Sequence, residues 1–246
     1  MIMKKPFITL FLALLSITAT QAQWWQGTKN IEGNGNMVTK TRTVPGYDQV
    51  SLTGSMDVIL VKGREGDLKV EAEENLQQHI LTDVSGGRLK ISVEKGYSLD
   101  PSRNHDIVIT VPFTDIEGLS LTGSGDIRSS DMVTAERFSI NITGSGNVQL
   151  PLKAKSTSAN ITGSGDIDLE GSSVDFDCKV TGSGDISAFN FKCENVQAKV
   201  TGSGDIEVYA SESLKASTPG SGDVEYRGNP KKEDFRTMGS GSISKN

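Results

Sequence analysis

Hydrophobic and polar residues alternate with a period of two along most of this chain. Val174-Asp-Phe176-Asp-Cys178-Lys-Val180, Phe189-Asn-Phe191, Val196-Gln-Ala198-Lys-Val200 and Ile206-Glu-Val208 send every second side chain to one side. That is the spacing of a half-buried strand, not of a helix. Residues 58–61, 68–72, 89–93 and 107–111 read as strands on the same ground. Residues 73–80 read as a helical turn, and the Gly86-Gly87 pair marks a chain reversal.

A second, longer period is laid over the first. Leu121-Thr122-Gly123-Ser124-Gly125-Asp126-Ile127 returns, with small changes, from Ile142, Ile161, Val180, Val200, Thr218 and Thr237. The first position after each of these starting pairs that holds glycine is Gly144, Gly163, Gly182, Gly202, Gly220 and Gly239, a nearly even series continuing from Gly123. Two degenerate copies, Ile31-Glu-Gly33-Asn-Gly35-Asn-Met37 and Leu52-Thr-Gly54-Ser-Met56-Asp-Val58, stand before them. Near-constant repetition at this length means a solenoid. With β alternation filling each repeat, the prediction is an all-β parallel β-helix with coils of about 19 to 21 residues, like strands stacking about 4.8 Å apart. The long interval from Gly54 to Gly123 breaks the strict phrase, leaving room for irregular, wider coils or an inserted hairpin layer. The expected organisation is therefore residues 23–118 as irregular β coils, continuous with a regular β-helix over 119–246.

Taken as one extended segment, the phrase sends its apolar ends and both glycines inward and Thr, Ser and Asp outward. Inward glycines would then leave space for rings such as Phe176, Phe189 or Phe191. The rival is a corner in which glycine takes a positive φ and Asp bonds its own backbone. The strand reading is preferred, and it stacks the outward residues in columns. Thr162, Thr181 and Thr201 form one, Ser164, Ser183 and Ser203 the next, and Asp166, Asp185, Asp205 and Asp223 a third. These columns are the candidate ligand face.

Stacked like charges about 4.8 Å apart repel by roughly 1 kcal/mol even in bulk water. Backbone hydrogen bonds, solvent screening or a bound cation can offset that. Asp166, Asp185, Asp205 and Asp223 are thus the candidate cation ladder, with Ca²⁺ as the ion. No Ca²⁺ loop spacing is present, so the default is a solvated acidic face without a cofactor. His79 and His105 are not at metal-ligand spacing with either cysteine.

Composition narrows the classes further. The chain has 246 residues, a formal charge of −6, 27 glycines and 6% aromatic residues, against a Leu-rich helical bundle and against a non-specific nucleic-acid binder. Residues 1–22 carry Lys4 and Lys5, an apolar run and a small-residue end, the pattern of a cleaved export signal; no later stretch is apolar enough to span a membrane. Export to the periplasm, outer surface or medium allows a disulfide between Cys178 and Cys193, although two small buried side chains are the plainer reading. For catalysis, Asp166 with Asp185, or Asp205 with Glu207, would be the carboxylate pairs of a polysaccharide lyase or hydrolase. They come from a repeated phrase, whereas an active site needs one unlike constellation, and only Arg128 joins them as a cation. No catalytic residues are assigned.

Gly33-Asn-Gly35-Asn-Met37-Val38, Val44-Pro-Gly46-Tyr47-Asp48-Gln49-Val50, Leu52-Thr-Gly54-Ser-Met56-Asp57-Val58 and Leu121-Thr-Gly123-Ser-Gly125-Asp126 together resemble the putative auto-transporter adhesin, head GIN domain family. The resemblance covers residues 30 to 226. It implies a secreted, right-handed β-helical protein of bacterial envelopes with no family catalytic residues. The expected function is an exported, non-enzymatic, adhesin-like module that binds a glycan or a surface protein. The alternative is a structural envelope protein that associates with itself through an open last coil.

Overall fold

The computed structural model describes residues 27–246. The export signal expected at 1–22 lies outside the described residues. In chain order the strands are β1 (Lys29–Glu32), β2 (Met37–Thr43), β3 (Gln49–Gly54), β4 (Asp57–Lys62), β5 (Asp67–Glu73), β6 (Ile80–Ser85), β7 (Arg88–Val93), β8 (Tyr97–Asp100), β9 (Val108–Phe113), β10 (Gly118–Gly123), β11 (Ile127–Ser129), β12 (Val133–Gly144), β13 (Val148–Gly163), β14 (Ile167–Gly182), β15 (Ile186–Gly202), β16 (Ile206–Thr218), β17 (Val224–Arg227), β18 (Lys232–Thr237) and β19 (Ile243–Lys245). A short 3-10 turn, Gln77–His79, is the helical element among them. The predicted parallel solenoid is present, with about seven turns.

The repeated phrase is a corner, not a continuous strand. Strands end on its first glycine, and the next strand begins at its final apolar residue, so Ser, Gly and Asp lie between. Gly163, Gly182 and Gly202 have φ of +133, +130 and +131, a region that L side chains avoid. Side-chain facing survives the turn, because Gly165, Gly184 and Gly204 are buried and the adjacent aspartates exposed. The expected space for rings is absent. A Cβ on Gly182 would stand 2.1 Å from the carbonyl oxygen of Gly163, and one on Gly184 2.0 Å from that of Gly165. Each glycine makes room for the equivalent glycine one coil earlier. That carbonyl is hydrogen-bonded, since Gly182 O accepts from Ser203 N at 2.8 Å and Gly204 N at 3.2 Å. Phe176 and Phe191 pack edge to face inside the core, with centroids 5.2 Å apart.

Residues 60–118 hold a reordered coil and its cover. Leu52, Thr53 and Gly54 of β3 pair in register with Leu121, Thr122 and Gly123 of β10, and Val58 of β4 pairs with Ile127 of β11. Two copies of the phrase that are distant in sequence are thus neighbours in space. On their other side, β7 stacks on β3 and β9 on β4, so the coil made last in this region is the outermost. Its edges are covered by antiparallel strands: β6 on β7, β5 on β9, and β2 on β5. Antiparallel cover consumes the exposed donors and acceptors of the terminal coil. The degenerate copy at Ile31–Met37 stands outside the stack. There, β1 pairs with β8 alone among the described residues.

One continuous core runs through the coils. Thr218 occupies the place that Val200 and Val180 hold in earlier copies; it is fully buried, and its hydroxyl has no partner among the described residues. A buried hydroxyl without a hydrogen bond costs more than the methyl that could replace it. Thr218→Val is expected to raise stability by about 1 kcal/mol in urea denaturation.

Candidate functional site

The expected columns form at the corner. Thr122, Thr143, Thr162, Thr181 and Thr201 are in register across successive strands. The aspartates do something the sequence reading did not anticipate: each bonds the next coil, not its own backbone. Asp166 Oδ1 accepts the amide of Asp185 at 2.9 Å, Asp185 Oδ1 that of Asp205 at 2.7 Å, and Asp205 Oδ1 that of Asp223 at 2.7 Å. The chain of bonds starts at Asp57, whose Oδ1 accepts the Asp126 amide at 3.1 Å, and ends at Asp223, which accepts the Ser242 amide at 2.6 Å. Asn147 holds one rung without a charge, its Oδ1 accepting the Asp166 amide at 3.0 Å. An acceptor on a short side chain is therefore what the position requires.

These bonds offset the repulsion within the column, because amide donors stabilise the charged acceptor. They also commit one oxygen of each carboxylate in the candidate cation ladder. Among the described residues no three His, Cys, Asp or Glu side chains come together as a metal site. Of the candidate catalytic pairs, Asp166 and Asp185 are joined as two rungs of the ladder. Glu207 lies directly across from Glu225, and its carboxyl is pushed up by burial and then by that neighbour, with Arg227 pulling the other way. Arg128 is 3.6 Å from Asp57. Cys178 and Cys193 are buried free thiols on different inward columns; burial pushes the Cys193 thiol up to about 12 and Cys178 well above its ordinary value.

Two grooves lie on the long strands, away from the phrase, whereas a smaller concavity borders Ser55 and Asp57 of the degenerate copy. One groove of about 620 Å³ crosses β13, β14, β15 and β16. Its first rail is Ser156, Asp175, Asn195 and Ser213, and its second is Ser158, Asp177, Gln197 and Lys215, each in register from coil to coil. Between them run the buried residues Thr157, Phe176, Val196 and Leu214. The rails are tied along their length: Asn195 Nδ2 donates to Asp175 Oδ1 at 3.0 Å, Ser213 Oγ to Asn195 Oδ1 at 2.8 Å, and Gln197 Nε2 to Asp177 Oδ2 at 3.2 Å. Amide and carboxylate groups are thereby held in fixed orientation. A polar-x-polar triplet that starts again at Ser156, Asp175, Asn195 and Ser213, in step with the coils, is the signal that would have found it. A second groove, of about 570 Å³, runs beside it, with Lys192 Nζ 3.9 Å from the Tyr209 ring centroid on one lip and Lys155 paired with Glu136 at 2.6 Å on the other.

A third feature sits at the covered end. Glu73 is fully buried and accepts hydrogen bonds from the Gly35 amide and from the Ser102 amide and hydroxyl, with His105 Nδ1 at 3.6 Å. Burial raises its pKa, but the Ser102 and Gly35 bonds and His105 outweigh that and hold the carboxyl at about 2. Gly33 packs directly against it: a Cβ there would lie 1.8 Å from Glu73 Oε2, so the hydrogen-bonded carboxylate would have to shift. This carboxylate joins the 33–36 loop and the 102–105 loop to β5.

Residues 46–230 match the putative auto-transporter adhesin, head GIN domain family. The chain belongs to that family. The head GIN fold is shared with a putative lipid binding protein from Parabacteroides distasonis, 31% identical, with a TM-score of 0.73 over 89% of this chain and 100% of that one. It is shared as well with putative adhesins from Bacteroides fragilis (24% identity, TM-score 0.83, 88% of this chain and 100% of that one) and Parabacteroides merdae (21%, 0.72, 89% and 99%). No curated protein matches this head GIN chain. Among its described residues no helix is long and apolar enough to cross a membrane.

Proposed function

We propose that the protein is an exported, non-enzymatic, adhesin-like module acting at the cell surface, and that it holds a linear glycan in the groove across β13–β16. The observation that carries this reading is the pair of polar rails. Planar amide and carboxylate groups, fixed by their neighbours, are the usual partners of sugar hydroxyls. They recur about every 4.8 Å, so a polymer lying along the solenoid axis meets similar donors and acceptors at every coil. Repeated weak contacts on one linear ligand then sum to useful affinity. The adhesin description of the family supports a surface role. Bonding within the Asp column supports a site that works without Ca²⁺.

The test is binding of the protein to an array of bacterial and host glycans, with Ca²⁺ and with chelator. One glycan class should bind equally in both. Asp175→Ala with Asp177→Ala should weaken that binding by about tenfold or more, through lost charge-assisted hydrogen bonds. Asp166→Asn, Asp185→Asn and Asp205→Asn together should leave it unchanged, because Asn keeps the rung as Asn147 does. Loss of binding in the triple variant would return the site to the corner columns. Binding only to lipid vesicles, the ligand class for which the P. distasonis relative is named, would overturn the glycan assignment.

A further inference from the structure

The two ends of the solenoid are finished differently. At the N-terminal end the outermost coil is covered by antiparallel strands on both β7 and β9. At the other end β18 pairs with β16 and β19 with β17, and among the described residues nothing pairs with the outer edge of either. All six residues of β18 are exposed. Phe235 stacks in register on buried Ala216 yet is 38% exposed, and Met238, at the position where earlier copies of the phrase carry an outward Thr, is 67% exposed. An unpaired strand edge beside an apolar surface is a template for another strand.

We propose that a second copy of this chain closes this edge, β18 pairing antiparallel with β18 about a twofold axis through Phe235. The charge pattern of Lys232-Glu-Asp234-Phe-Arg236-Thr237 selects this register. In an antiparallel pair about a twofold axis, side chains directly opposite share a face, so the axis passes through one residue. Centred on Phe235, the pairing sets Phe235 against Phe235, Asp234 against Arg236 of the second copy twice over, and Glu233 against Thr237. Centred on Glu233, Asp234 or Arg236 instead, it sets a like charge against itself, which disfavours that register. In the single chain Asp234 and Arg236 already lie 3.5 Å apart, both exposed, so the dimer turns one pair into a ring of four charges. Exposed pairs of this kind set register more than strength. The strength comes from the backbone bonds and from burying Phe235. Because the opposite end is covered, the contact closes on itself and yields dimers, not filaments.

Sedimentation equilibrium over a wide concentration range tests the proposal, and the parent chain should show a monomer–dimer equilibrium. Asp234→Arg sets like charges opposite each other and should weaken the dimer by about tenfold or more. Asp234→Arg combined with Arg236→Asp restores opposite charges and should recover the parent's dissociation constant. Cysteine variants that keep Phe235 read the register directly. Glu233→Cys chains mixed with Thr237→Cys chains should form a disulfide-linked heterodimer under mild oxidation, since those two positions face each other across the pair, and neither variant alone should cross-link. Cys178 and Cys193 are buried and leave this readout clean. A parent that stays monomeric at every concentration overturns the proposal, as does a double charge reversal that fails to recover dimerisation while circular dichroism shows the fold intact.

Discussion

Gly182→Ala is expected to lower the stability of the protein by about 4 kcal/mol, a loss far above that of an ordinary surface substitution. Two costs coincide at this residue. Its φ of +130 is one that alanine adopts only under strain. Its new Cβ would fall 2.1 Å from Gly163 O and 3.0 Å from Gly163 C, so the obstacle is backbone and cannot rotate away. Relief requires the two coils to separate at the corner, where the Ser183 amide donates to Gly163 O at 2.8 Å, and it strains the next junction, where the Ser203 amide donates to Gly182 O at 2.8 Å. Stability in a solenoid is carried by neighbour-to-neighbour interfaces, so weakening one in the middle weakens both halves. The control is Ser183→Ala, at an exposed position in the same phrase, expected within about 0.5 kcal/mol of the parent. Urea denaturation of the three proteins decides the matter. A loss under about 1 kcal/mol for Gly182→Ala would mean that the corner relaxes far more easily than its geometry indicates.

The second large effect is expected at Glu73. Glu73→Gln keeps the volume but replaces one acceptor oxygen with an NH₂ group facing amides that donate. With the Gly35 amide, the Ser102 amide and the Ser102 hydroxyl all directed at this side chain, at least one buried donor is left without a partner. The expected cost is about 3 kcal/mol at neutral pH. The pH dependence has a definite sign. The carboxyl titrates at about 2 in the folded protein against an ordinary value of 4.5. A folded pKa below the unfolded one stabilises the fold above the unfolded value, and the contribution fades as pH falls toward the folded one. The gap between parent and Glu73→Gln should therefore be widest above about pH 5 and should narrow as pH falls toward 2. Guanidinium denaturation at several pH values measures it, and a gap independent of pH would mean that the Glu73 charge is not what ties the two loops to β5.

Much of the architecture was legible from spacing. Alternation with period two gives strands, and a phrase returning at a near-fixed interval requires identical units to stack, because each alone has too little core to bury its apolar face. The columns of Thr, Ser and Asp follow, since equal spacing with equal register leaves no other arrangement. The corner was harder to read. Ile-Thr-Gly-Ser-Gly-Asp-Ile satisfies strand alternation and turn chemistry equally, and the choice depends on what lies one coil away. The same holds for the aspartates: their partner amide belongs to the equivalent residue of the following coil. The groove was missed because its rails change composition from coil to coil, and a search for repetition favours the phrase that does not change.

What the sequence determined by itself was the class of fold, the coil length and which residues face outward, all of them consequences of periodic patterning and burial. The tertiary structure decided the order of the first coils, the antiparallel cover, the use of the aspartates as rungs, the burial of Glu73 and the position of the groove. Each of these depends on pairing between segments distant in sequence. Leu52 meets Leu121 because they share a register, and Glu73 meets Gly35 and Ser102 because the chain folds back. Local propensity contains no term for such encounters; they are set by which edges and donors remain unsatisfied once the coils have stacked.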